Sequence, residues 1–64
     1  MPLDEIKAAV DAGKIVNWSN CLYVVEKWSD GYNIVCQSNQ HAIGLTHTDG
    51  VTMNGKEEDF FLGE

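Results

Sequence analysis

The chain has 64 residues, ten of them Asp or Glu against four Lys and no Arg, for a formal net charge of −6. Four scattered lysines among that many acids offer no basic stripe to displace counterions from a nucleic acid, which excludes direct DNA or RNA binding. The composition is 44% apolar, with Trp18, Tyr23, Trp28, Tyr32, Phe60 and Phe61 as its aromatics, too apolar for a disordered acidic tail.

A chain of this length holds one domain, 1–64, with a modest core, because it buries only about 60% of the surface it exposes unfolded. Its expected stability is roughly 3 to 5 kcal/mol. No basic start followed by a long apolar run marks a signal peptide, and no stretch approaches the roughly 18 apolar residues of a membrane span. The expectation is therefore a cytoplasmic protein without membrane association.

From the N-terminus, Leu3, Ile6, Ala9 and Val10 recur at helical spacing while Asp4, Glu5, Lys7 and Asp11 fall mostly on the other side. This pattern predicts an amphipathic helix over about 3–12, begun after Pro2 and ended at Gly13. Asp4 and Glu5 suit the positive end of the helix dipole. Fewer than about 12 residues do not hold a helix alone in water, so it must dock on something.

The remainder is short β-branched and aromatic runs cut by turn residues, with strands predicted at 14–18, 21–28, 32–37, 42–46 and 51–53. Ser29-Asp30-Gly31 has the composition of a three-residue hairpin loop, which sets Trp28 opposite Tyr32 and Val24 opposite Cys36. That register groups Leu22, Val24, Trp28, Tyr32, Ile34 and Cys36 on the face covered by the helix, with Glu26 as its lone charge. Cys21, Tyr23, Val25, Lys27, Asn33, Val35 and Gln37 then share the second face, to be covered by Phe60 and Phe61 or left for a partner. Asp49-Gly50 and Asn54-Gly55 are turn dipeptides, and 56–64 is an acidic, aromatic C-terminal segment. The whole is an α+β fold: one N-terminal helix packed on a small, mainly antiparallel sheet of four to five strands.

Cys21 and Cys36 are too few for a disulfide scaffold and are read as reduced core thiols, set on opposite faces or several residues out of register. With His41 and His47 they form a donor set chemically adequate for tetrahedral zinc, which makes a small zinc-site protein one alternative. The spacing disfavours it, because structural sites draw ligands from pairs two to four residues apart. The reading is no metal and no cofactor. Cys36 with His41 or His47 as base lacks a third orienting group and oxyanion donors, so no enzyme activity is expected. Ser19, Ser29 and Ser38 stand in turn contexts, and the six glycines form no phosphate-binding loop.

What is left is the acidic surface: Asp4, Glu5 and Asp11 on the helix, Glu57, Glu58 and Asp59 in the C-terminal segment, Glu26, Asp30 and Asp49 near the hairpins. Solubility alone accounts for charge of this size in small domains. The sharper reading is that spaced carboxylates stand in for phosphates on a basic nucleic-acid-binding protein, an interaction that weakens with salt. Tyr23, on the second face, is the aromatic expected to touch such a partner.

Leu3-Asp4-Glu5-Ile6-Lys7-Ala8-Ala9-Val10, Trp18-Ser19-Asn20, Ile43-Gly44-Leu45-Thr46 and Asp49-Gly50-Val51-Thr52-Met53-Asn54-Gly55-Lys56 are similar to segments of short proteins carried by phages and mobile elements. Some of these resemble type I anti-CRISPR proteins. The resemblance implies a stoichiometric inhibitor, acting in the host cell, that binds a subunit of a type I surveillance complex on the surface that accepts target DNA, as a DNA mimic. The partner-binding residues, Glu57, Glu58, Asp59, Asp4, Glu5, Asp11, Glu26, Asp30 and Tyr23, come from the charge and face arguments alone. A monomer is expected. The other alternative is an antitoxin-like interaction module whose acidity serves only solubility and whose activity tracks the second face around Tyr23 and Val35.

Overall fold

A computed structural model describes residues 1–29, 31–50 and 52–63. In chain order the elements are α1 (Leu3–Asp11), β1 (Ile15–Trp18), β2 (Asn20–Trp28), β3 (Gly31–Cys36), β4 (Ala42–Gly44), a 3-10 turn (Glu57–Asp59) and β5 (Phe60–Gly63). The strands make one five-stranded antiparallel sheet ordered β4-β3-β2-β1-β5, with α1 packed across β1 and β2. This is the α+β architecture expected.

Helix α1 forms where the periodicity places it. Ile6 and Ala9 are buried, Leu3 and Val10 are half-buried, and together they pack on Val16, Val25, Ile34, Leu45 and Phe60. Complete burial of Ile6 alone favours the folded state by about 1.5 to 3 kcal/mol. The C-terminus closes by a Schellman motif in which Gly13, at φ 82°, donates to Val10 O (3.0 Å) and Lys14 donates to Ala9 O (2.9 Å). A side chain at 13 would pay for that left-handed backbone in strain.

The β2–β3 hairpin lies where expected, but its register differs by one residue. Trp28 pairs with Gly31, Lys27 with Tyr32, and Tyr23 with Cys36, leaving only 29–30 in the connection. Gly31, at φ 133°, closes the ladder instead of occupying a bulge inside a longer loop. A one-residue slip moves every β2 side chain to the other face. The helix-covered face therefore carries Tyr23, Val25 and Lys27 from β2 with Tyr32, Ile34 and Cys36 from β3. Leu22, Val24, Glu26 and Trp28 join Asn33, Val35 and Gln37 on the open face.

Of the expected strand at 51–53, Val51 lies outside the described residues, Thr52 is in no strand and Met53 makes an isolated bridge to Thr46. The fifth strand is β5, in the segment that carried no element assignment. It pairs antiparallel with β1, Val16 opposite Leu62 and Trp18 opposite Phe60. Phe60 enters the core on the helix side and only Phe61 turns to the open face, so the two aromatics do not cover it as a pair.

Both cysteines are free, Cys36 buried but Cys21 exposed, which corrects the reading of both as core thiols. The register also puts Cys21 on the same side as Cys36 and two residues along the ladder. A diagonal of about 7 to 8 Å lies beyond disulfide reach.

The β1–β2 connection is irregular: Asn17 pairs with Val24, but the next residue, Trp18, pairs with Asn20. The β2 segment between is thereby lifted off β1. Asn17, 4% exposed, fills the gap by donating its side-chain amide to Tyr23 O (3.1 Å) and, more weakly, to Cys21 O (3.5 Å). Its Oδ1 lies over Gly63, where a Cβ would come within 1.9 Å. Glycine at 63 is thus a requirement of close approach.

Candidate partner-binding surfaces

The expected acidic residues separate into three environments. Asp4 and Glu5 lie in the first turn of α1, and Glu57, Glu58 and Asp59 form the 3-10 turn. The backbone nitrogen of Met1 donates to Glu57 O (2.5 Å) and Phe60 O (3.4 Å), tying the start of α1 to that turn. A groove lined by Met1, Glu5, Ala8, Ala12, Lys14 and Leu62 runs along α1 beside β5, from before the helix to beyond its end. Four of the five carboxylates are on exposed residues and Asp59 is on a half-buried one. The 3-10 turn is held by Asp59 N–H to Lys56 O and by Ser19 N–H to Asp59 O, both 2.9 Å. Two acidic segments more than fifty positions apart thus share one end of the molecule.

Asp11 is engaged within the fold. Its Oδ1 accepts the Tyr32 hydroxyl (2.7 Å) and lies 3.7 Å from Lys27 Nζ, docking the end of α1 on the β2–β3 hairpin. That hydrogen bond is the main reason the Tyr32 hydroxyl titrates above its ordinary 10.0. Lys7 and Lys27 lie near the Tyr32 ring, 5.4 and 5.8 Å from its centroid. Asp11 is less free to meet a partner than the carboxylates at the other end. Asp30 lies outside the described residues.

Glu26 stands on the open face, accepting Trp28 Nε1–H (3.0 Å) and the Gln37 side-chain amide (3.3 Å). Around it the register places Ile15, Leu22, Val24, Trp28, Val35, Ala42 and Phe61. Ile15, Leu22, Trp28 and Phe61 keep 51, 47, 43 and 42% of their surface. Val35 is only 1% exposed, flanked by its register partners Val24 and Ala42.

Tyr23 is not on this face. It is half-buried on the helix side, edge-on to Trp18 with ring centroids 5.2 Å apart, in a cleft of about 320 Å³ with Ile34, Cys36, His41 and Ile43. The role expected of it as a second-face contact aromatic is therefore corrected. The Cys36 thiol in that cleft is 3.2 Å from Ser38 Oγ, and hydrogen bonding from Ser38, led by its side chain, holds its pKa below the ordinary 9.0. Among the described residues no group of three or more His, Cys, Asp and Glu comes together to hold a metal, and His41 and His47 are both exposed.

Sequence reasoning missed Asn17 and Ile15 as features of the open face, and of the two aromatics expected to cover it only Phe61 lies there. Alternation within β1 carried the signal for Ile15 and Asn17, while Phe61 acquires a face only once β5 pairs. Among the described residues no helix is long and apolar enough to cross a membrane. Comparison with protein families, with curated proteins and with solved structures finds no match.

Proposed function

We propose that this domain is a non-enzymatic, acidic binding protein that presents the carboxylates of Asp4, Glu5, Glu57, Glu58 and Asp59 to a basic surface on a nucleic-acid-binding protein, in competition with DNA. The supporting observation is the tie between Met1 and the 3-10 turn, which turns two dispersed acidic segments into one negative end. A concentrated field of this sign accelerates encounter with a basic groove and discriminates among partners more than it adds affinity. The resemblance to type I anti-CRISPR proteins makes a type I surveillance complex the first partner to test, with this chain as its inhibitor.

The test is a gel shift of target DNA by the purified complex, with and without the protein, at low and moderate salt. The expected result is loss of DNA binding that fades as salt rises, since the screening length falls from about 10 Å at 0.1 M to 3 Å at 1 M. A Glu57→Lys, Glu58→Lys, Asp59→Lys variant that stays folded is expected to lose the effect. Full inhibition by that folded variant removes the acidic end as the contact.

The antitoxin-like reading is favoured by a different observation, the exposed Ile15, Leu22, Trp28 and Phe61 on the sheet face without a helix. On that reading, changing acids to amides leaves activity intact while changes on this face abolish it.

A further inference from the structure

Of the asparagines in the chain, only Asn54 is followed by glycine. With no Cβ on the next residue, the main-chain nitrogen of Gly55 can approach the Asn54 side chain freely, which makes this dipeptide prone to deamidation. In that reaction the Gly55 nitrogen attacks Cγ of Asn54. The new N–C bond forms, the Cγ–Nδ2 bond breaks, and ammonia leaves with the proton that the attacking nitrogen held. Water then opens the succinimide ring, mainly to isoaspartate, which places an extra carbon in the main chain and a carboxylate where the amide was.

The fold restrains both reacting groups. Nδ2 of Asn54 donates to Gly44 O (2.7 Å) and Thr46 O (3.3 Å), and the Asn54 main-chain N–H donates to Leu45 O (2.9 Å). Both side-chain partners are carbonyls, so the NH2 and not the oxygen of the amide must face them. Beside this clamp Met53 bridges Thr46, and Gly55 lies so close to the Trp18 indole that a Cβ at 55 would run into Nε1. Attack requires a near-attack geometry with the reacting atoms about 3 to 3.5 Å apart and aligned. Closing the ring gives up both side-chain hydrogen bonds, since the NH2 is the leaving group, and moves a residue wedged against Trp18.

We infer that Asn54 is a deamidation site which the fold keeps closed, and that its conversion to isoaspartate is a one-way release of 53–55 from 44–46 and from Trp18. Once formed, the carboxylate has no proton for Gly44 O and Thr46 O, and the lengthened main chain does not fit where even a Cβ collides. Trp18 Nε1, buried without a hydrogen-bond partner among the described residues, gains water when Gly55 moves away. Each event also adds a negative charge to a chain already at −6. The inference does not rest on the acidic end as a contact surface.

The test incubates the full chain at mildly alkaline pH, folded and, in parallel, in guanidinium chloride, with deamidation followed by intact mass and located by peptide mapping. The folded protein is expected to react at least about tenfold more slowly than the denatured one, because only its locally open fraction reacts. Asn54→Gln, whose ring closure is slower, is expected to remove the fast reaction in denaturant. The isoaspartate form, separated by ion exchange, is expected to melt at least about 4 °C below the parent. In a Trp28→Phe background it is expected to shift Trp18 emission to the red. Asn54→Asp, with the charge but the ordinary main chain, is expected to lie between parent and isoaspartate form in Tm. Equal rates in the folded and denatured chain, or first modification at another asparagine, overturns the inference. So does an isoaspartate form with the Tm and emission of the parent.

Discussion

Replacing Asn17 by Ala tests what holds the irregular β1–β2 junction together. The Asn17 side-chain amide donates to Tyr23 O at 3.1 Å and reaches Cys21 O at 3.5 Å. Removing the donor from a buried carbonyl costs about 1 to 3 kcal/mol, and for the part-buried Tyr23 O the lower half of that range applies. Against a total stability of roughly 3 to 5 kcal/mol for a domain this small, that is a large share. With roughly 4 to 8 °C of Tm per kcal/mol at this size, a Tm drop on the order of 10 °C is expected. Urea denaturation followed by Trp fluorescence reads the loss directly.

Asn17→Asp separates hydrogen-bond donation from simple space filling. At neutral pH the new carboxylate faces carbonyl oxygens with no proton to donate, so this variant is expected to be less stable than Asn17→Ala. Its folded-state pKa then lies above the unfolded value of about 3.9, because the protonated acid can donate and the carboxylate cannot. Stability in such a case is greatest below the unfolded pKa and falls as pH rises through the folded one. The Asp variant is therefore expected to recover towards the parent in acid, measured relative to the parent at each pH. A loss for Ala under about 0.5 kcal/mol, the level of an ordinary surface change, or an Asp variant whose deficit is flat with pH, refutes the donor role.

Gly63→Ala is expected to destabilise by about 1 to 3 kcal/mol through overpacking, since the new Cβ would meet Asn17 Oδ1 at 1.9 Å. The cost should shrink in an Asn17→Ala background, and additivity in a double-mutant cycle would show that the two positions do not touch. In Asp11→Asn the Tyr32 hydroxyl is expected to titrate nearer its ordinary 10.0, because its main perturbation is the bond to Asp11. The sign follows: a raised folded pKa lends stability that is present below 10.0 and lost as pH climbs through the raised value. Ultraviolet titration of parent and variant with identical phenol curves would contradict the contact.

Much of the local structure was legible in the sequence. Leu3, Ile6, Ala9 and Val10 at helical spacing, with Gly13 free to turn left-handed, are enough to place and end α1, because helix periodicity and Schellman closure depend on neighbours within a turn. The β2–β3 hairpin was also legible as an element. Its register was not, because both faces of 22–28 are half apolar and either parity offers a plausible core. Only the docking of Val25 into the core with Ile6, with Lys27 brought to Asp11, selects one of them.

That choice exchanged the fate of Tyr23 and Trp28, and with it the composition of the open face. Strand β5 was illegible for a related reason: Phe60-Phe61-Leu62-Gly63 has no period long enough to read, and it becomes a strand by hydrogen bonding to β1 some forty residues earlier. The inventory of acids is a property of the sequence. Whether they form one surface is a property of the tertiary structure. Met1 reaches Glu57 O and Phe60 O, and so brings the acidic start of α1 towards the Glu57–Asp59 turn, only because β5 lies beside β1, and no local signal encodes a contact whose energy exists only once these distant segments have come together.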